Sequence, residues 1–185
     1  DTVTLYAQWK ANKYTIKFTD GSGTVLGSTT VDYGESATSP SVPRRDGYKF
    51  VGWDKDFSNV ESDATVNALW EPIKYIIRYD KNNNAATGSM QDVTIRYDET
   101  ANISRNSYSF VGHSWLSWNT RSDNTGTTYS ENQSIKNLTN TDGDVIILYA
   151  QWNTDKCKVT FTDGCGKTLS NQSVDYGGSA SAPEA

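Results

Sequence analysis

Few side chains in this chain could do chemistry, and their spacing decides what each is for. The one histidine, His113, has no partner for a histidine triad, a His-based metal site or a histidine general base. It opens the alternating stretch His113-Ser-Trp-Leu-Ser-Trp118 and reads as a packed or partly exposed imidazole. Cys157 and Cys165 are the two thiols. Eight residues of extended strand between them would span up to roughly 26 Å, so free thiols or pairing with another molecule are expected. The pairs Asp54/Asp56 and Asp142/Asp144 offer carboxylates. A calcium site needs roughly six to eight oxygens, and neither spacing matches an EF-hand loop. Both read as solvated turn acids.

Gly21-Ser-Gly23 and Gly164-Cys-Gly166 share the look of phosphate loops, yet no helical pattern follows either, which makes them hairpin tips. Arg44-Arg45-Asp46 could face an integrin or a glycan, but a charged crossing between strands needs no such role. Lys17 and Asn67 are candidate partners for a Lys–Asn isopeptide bond, with no buried acid identifiable to assist. The remaining resource is aromatic: six Trp and eleven Tyr could form a sugar-stacking platform. No acid/base constellation emerges, no metal or cofactor is implied, and an enzyme is not expected.

What positions these residues is repetition. Tyr14 to Glu71 opens with the alternating strand Tyr14-Thr-Ile-Lys-Phe-Thr19 and turns at Asp20-Gly-Ser-Gly23. A second strand ends at Val31-Asp-Tyr-Gly34, and a Pro-bearing crossing runs from Ser36 to Gly47. A third strand, Tyr48 to Trp53, precedes the closing strand Thr65-Val-Asn-Ala-Leu-Trp70. The pattern returns with longer loops from about Tyr75 to Asn153, most of the extra length falling in the polar loop Asn119 to Ser130. It begins a third time near Lys158. Residues 1–10 match the closing strand seen again at Val145 to Trp152 and read as the tail of a preceding repeat. The divisions are thus 1–10, 11–72, 73–154 and a truncated 155–185, and the chain reads as a fragment of something longer.

Period-two alternation assigns the faces. Trp9, Trp70 and Trp152 close successive copies, while Phe18, Tyr79 and Phe161 recur in the opening strands. Trp53 and Trp118 are equivalent, as are Phe50 and Trp115. Indoles at equivalent positions are what a repeated interior demands, so these ten residues are the expected structural core rather than a ligand platform. Each large aromatic buries on the order of 150–250 Å². The expected class is mainly β, with about four strands per repeat and at most a short helical turn at Phe57-Ser-Asn-Val60, echoed at Ile135 to Leu138.

Net charge is -5 and the 17 basic residues are scattered, which argues against nucleic acid or a polybasic membrane patch. No stretch approaches the roughly 18 apolar residues of a membrane span. With only two Cys, a disulfide-stapled scaffold is not expected.

Tyr79-Asp-Lys-Asn82, Gly88-Ser-Met90, Trp118-Asn-Thr120, Gly126-Thr-Thr-Tyr129 and Leu148-Tyr-Ala-Gln-Trp152 together resemble the Listeria–Bacteroides repeat. Val31-Asp-Tyr-Gly34, Gly47-Tyr-Lys-Phe-Val-Gly-Trp53 and Asn67-Ala-Leu-Trp70 resemble the related B repeat of internalin-type surface proteins. His113 and Ser117 depart from the usual Tyr and Gly of the third strand. The resemblance implies β-grasp-like modules, tandemly arranged at the bacterial cell surface between a binding head and a wall anchor, with no catalytic residues to carry over.

The leading expectation is therefore a non-catalytic stalk of an exported bacterial surface protein, extracellular, spacing and presenting a head and contributing to adhesion. The alternatives are a carbohydrate- or protein-binding adhesin using the loops Asn82–Gly88 and Asn119–Ser130, or an accessory module of a secreted enzyme. The expected partners are neighbouring repeats of the same chain and a host or glycan ligand. The incomplete last repeat predicts head-to-tail strand pairing between molecules, or disorder beyond about Asp155.

Overall fold

The computed structural model describes residues 1–184, which contain no helix and divide into two compact units, the first ending at Ile73 and the second starting at Lys74. The first unit holds β1 (Lys13–Thr19), β2 (Val25–Asp32), β3 (Tyr48–Trp53) and β4 (Ala64–Pro72) in the order β2-β1-β4-β3. β1 and β2 form a hairpin, β4 runs parallel to β1 with Val66 opposite Phe18, and β3 returns antiparallel along β4. First and last strands are thus parallel neighbours at the centre, the β-grasp arrangement. A parallel pair needs a long crossover between its strands. Here the connection carries no helix, and Ile16, Phe18, Ala37, Val60 and Val66 form a small core beneath it.

The helical turn expected at Phe57 to Val60 does not form, because its backbone groups are committed elsewhere. Phe57 O accepts from Ala37 N (2.9 Å), Val60 N donates to Glu35 O (3.0 Å), and Val60 O accepts from Gly34 N (2.8 Å). The loop is therefore stitched to the crossing rather than to itself.

The second unit repeats the wiring with β5 (Lys74–Asp80), β6 (Val93–Arg96), β8 (His113–Asn119), β9 (Thr128–Tyr129) and β11 (Val145–Thr154), ordered β6-β5-β11-β8-β9. β7 (Ala101–Asn102) and β10 (Ser134–Ile135) form a separate short ladder, which is why the echo at Ile135 is extended and not helical. Tyr75, Ile77, Tyr79, Ile95, Ile103, Tyr108, Trp118, Ile135, Leu148 and Ala150 make the larger core. Residues 156–175 form a hairpin, β12 (Lys156–Thr162) with β13 (Thr168–Asp175).

The ten expected core residues are not equally enclosed. Phe18 and Trp118 are 0% exposed and Tyr79 is 6% exposed. Trp53, Trp70, Trp115 and Trp152 are half-buried. Phe50 is 36% exposed, because β3 is an edge strand with a bulge between Phe50 and Gly52. Simple alternation would put Phe50 and Trp53 on opposite faces; the extra residue Val51 brings their rings to 5.4 Å instead. Phe161 is only half-buried, and among the described residues β12 pairs with β13 alone. Trp9 is a correction: it is 93% exposed and residues 1–12 form no strand. The parallel slot beside β1 that a closing strand would occupy is already taken by β4.

Trp118 donates its indole N–H to Ser104 O at 3.2 Å, whereas the buried Trp115 N–H finds no acceptor. Phe50 fills the position of Trp115 in the first unit without carrying that donor. Trp118→Phe should therefore cost about 2–3 kcal/mol, and Trp115→Phe should stay within about 1 kcal/mol of neutral, the lost contact area being offset by removal of an unpaired donor. Hydrogen exchange at the Leu148 and Ala150 amides reads the second unit by itself. Equal costs for the two variants would refute the distinction.

Candidate functional site

The closing strand of each repeat meets its opening hairpin at one tryptophan. Trp70 on β4 donates its indole N–H to Asp20 O at 2.8 Å, and Trp152 on β11 donates to Lys81 O at 2.9 Å. Both acceptors are the first residue past the opening strand. The turn beyond Asp20 is held by its own carboxylate: Oδ1 accepts from Ser22 N (2.8 Å), Thr24 N (3.0 Å) and Ser22 Oγ (2.8 Å). The Ser22 hydroxyl above all, with the Ser22 and Thr24 amides, holds the Asp20 carboxyl down at about 2.

Gly21 passes against the closing strand at φ 83°, where a Cβ would lie 2.6 Å from Ala68 O. In the second repeat Asn82 takes this place at φ 55°, and its Nδ2 donates to Ala150 O (3.0 Å) and Ser122 O (2.8 Å). A short polar side chain that tolerates the left-handed region replaces absence of a side chain, and the turn stays clamped.

Above Trp70 lies a notch. The Arg45 guanidinium sits 3.9 Å over the Tyr48 ring and 5.8 Å from the Trp70 ring. With Pro43, Arg44, Asp20 and Ser22 it bounds a depression of about 310 Å³. Arg44 is paired with Asp46 at 3.5 Å, while Arg45 makes no ion pair among the described residues. Its planar fork is oriented by stacking and its donors remain available. A hollow of about 340 Å³ over Thr15, Lys17, Asp63, Ala64 and Thr65 is slightly larger but has no aromatic wall.

The second repeat builds the same turn with different chemistry. His113 N donates to Phe110 O at 3.0 Å, as Tyr48 N does to Arg45 O at 3.1 Å. Phe110, standing where Arg45 stands, stacks on His113 at 3.7 Å with 2° between the planes, and its edge meets Trp152 at 5.7 Å. His113 Nδ1 lies 3.0 Å from Val111 O. One scaffold thus presents a cation over its closing indole in the first repeat and an apolar ring in the second.

The other sequence candidates have local duties. Asp54 accepts from Asn67 N and Nδ2, both at 2.7 Å, and Thr19 Oγ1 donates to Asn67 Oδ1 at 2.6 Å. That amide is occupied without Lys17. Asp56 holds Ser58, Asp142 accepts from Lys74 N, and Asp144 accepts from Thr139 Oγ1 and Val145 N. Among the described residues no three His, Cys, Asp or Glu side chains gather as metal ligands. Cys157 and Cys165 are free and exposed, although Cys157 takes the place of the half-buried Tyr14.

Two residues carry more than their sequence context suggests. Arg45 reads as crossing-segment charge, yet it walls the notch; its alignment with an aromatic, Phe110, was the available signal. Asn119 opens a loop that looks merely polar, yet it is 0% exposed. Its Oδ1 accepts from Arg121 N (2.9 Å) and Gly126 N (3.0 Å), and its Nδ2 reaches Gly126 O and Thr128 Oγ1. The long loop is wrapped around this one amide.

The model of the Listeria-Bacteroides repeat domain matches residues 14–71 and 75–151. Two proteins of Evansella cellulosilytica are similar over nearly the whole chain. The "Putative membrane protein" is 24% identical, with 98% of this chain and 27% of the relative covered. The "Putative Gly-rich membrane protein" is 25% identical, with 95% and 20% covered. The chain therefore spans about a quarter or less of the length of the curated relatives it matches. The crystal structure of Mub-RV is 11% identical over 75% of this chain and 98% of that one, but its TM-score of 0.19 bears no weight for the fold. No helix of the described residues is long and apolar enough to cross a membrane.

The depressed Asp20 carboxyl makes the turn acid-sensitive in a defined window. Its contribution is fully present above the ordinary value of 3.8 and is lost as pH falls through about 2. A carboxyl NMR titration should place the Asp20 midpoint near 2, with Ser22 and Thr24 amide exchange rising over the same range. Ser22→Ala should move the midpoint back toward 3.8. A wild-type midpoint already at 3.8 would contradict this assignment.

Proposed function

The chain belongs to the Listeria–Bacteroides repeat family, and from that premise we propose that it is a non-catalytic stalk segment of an exported bacterial surface protein. Its task on this reading is to space a separate head from the cell. The observation that carries the reading is the connection between repeats. β4 ends at Pro72 and β5 begins at Lys74; β11 ends at Thr154 and β12 begins at Lys156. A single residue separates each closing strand from the next opening strand. Such a link leaves no flexible spacer, and contacts between neighbours then set the stiffness of a repeat array. The indoles support the same reading, since Trp70, Trp118 and Trp152 spend their N–H donors on backbone carbonyls of their own repeat.

Surface display tests the reading. An epitope placed ahead of Asp1 should become more accessible to antibody as intact repeats are added between it and the cell wall. Access that does not change with repeat number would sink the stalk.

The Arg45 notch favours a second reading, contact with an acidic glycan. A carboxylate on the sugar would meet the free guanidinium donors while the ring packs on Trp70 and Pro43. On a glycan array, binding to acidic sugars should fall at least about tenfold in Arg45→Ala and persist in Arg121→Ala, with unchanged near-UV dichroism. No binding by the wild-type chain eliminates this second role.

A further inference from the structure

The hairpin β12–β13 forms no ladder with the five-stranded sheet beside it in the second unit. Its attachment converges on one linker residue. Asp155 N donates to Gly112 O at 2.9 Å, and Tyr176 N, just past β13, donates to Asp155 O at 2.8 Å. Ser114 Oγ donates to the Asp155 carboxylate. The Tyr176 ring lies on Gly112 so closely that a Cβ there would sit 2.0 Å from Cδ1 and 2.2 Å from Cγ. Gly112 is also left-handed, at φ 71°. Glycine is thus required twice at this point, for backbone conformation and for the space the ring fills.

We propose that this arrangement is an inter-repeat latch: the Gly112–Ser114 edge and the linker residue Asp155 form a docking surface whose partner is the Tyr-bearing turn of the following repeat. The parts recur at equivalent places. Ile73, which like Asp155 stands three residues past a closing Trp, donates its N–H to Gly47 O at 2.9 Å, and Gly47 is buried at φ 75°. Asn12, three residues past Trp9, accepts from Tyr33 N at 2.8 Å. The residue after each of these two tyrosines, Tyr33 and Tyr176, is left-handed: Gly34 at 81° and Gly177 at 77°. Ile73 makes the donor half of the Asp155 linker contact and Asn12 the acceptor half, each through backbone atoms. The ring-on-glycine contact supplies the side-chain complementarity. The latch does not depend on what the array carries; it holds whether the repeats space a head or bind a sugar.

Amide exchange across the hairpin tests it in the full chain. In wild type the Tyr176 amide should be protected together with those of β11. Gly112→Ala drives a methyl into the ring, and Tyr176→Ala removes the ring; each should speed Tyr176 exchange roughly five- to tenfold while Leu148 exchange stays unchanged. Tyr176→Phe keeps the ring and should behave as wild type. Tyr176 stands 48% exposed, so its alanine variant will fold even where Gly112→Ala does not. Backbone ¹⁵N relaxation should then show residues 156–175 reorienting faster than residues 113–119 in the alanine variants alone. Unchanged Tyr176 exchange in Tyr176→Ala, or hairpin relaxation already independent in wild type, would overturn the latch.

Discussion

Each repeat depends on the bond between its closing indole and the carbonyl just past its opening strand. The central strands are parallel, so no tight turn can join them, and the two ends must be brought together by a contact distant in sequence. Trp70 reaches across 50 residues to Asp20, and Trp152 across 71 residues to Lys81. Lengthening the span this much raises the closure entropy by only about 0.3 kcal/mol, because that cost grows with the logarithm of loop length. Losing the indole's acceptor would cost several times more. The second repeat can therefore carry long loops with little penalty, provided the clamp is kept.

The loops differ in how they stay ordered. In the first repeat the crossing is tied to the segment around Phe57 by backbone bonds over Ala37 and Val60. In the second, Asn119 is fully buried and serves as a polar centre for its loop. A buried amide is tolerated because its hydrogen-bonding groups are met. The two solutions leave the same strand order in place, so surface chemistry can vary over a fixed frame. The exchange of Arg45 for Phe110 above the closing indole shows that variation directly.

The strands were legible because period-two alternation and Asp-Gly or Asn-rich turns are local signals: β1, β3, β8 and β11 lie close to where alternation puts them. The family match rests on the same strings. Three features lay outside that reach. Alternation assumes a straight strand, and the bulge at Val51 breaks the count, placing Phe50 beside Trp53. Similarity of pattern made Trp9 look like Trp70, but burial requires an open slot beside a partner strand, and β4 fills the one beside β1. The role of Arg45 depends on a turn folding its guanidinium back over Tyr48, which a linear reading registers only as charge.

At the joint before β12 the linker residue Asp155 is held by main-chain bonds on both sides, with Gly112 and Tyr176 supplying shape. A gene encoding such modules can gain or lose a copy by recombination without compensating changes at the new seam. At that seam the amide and carbonyl that meet the neighbouring backbone belong to the main chain and do not depend on the linker side chain. Copy number then becomes free to drift, while each module's exposed loops diversify independently of its neighbours.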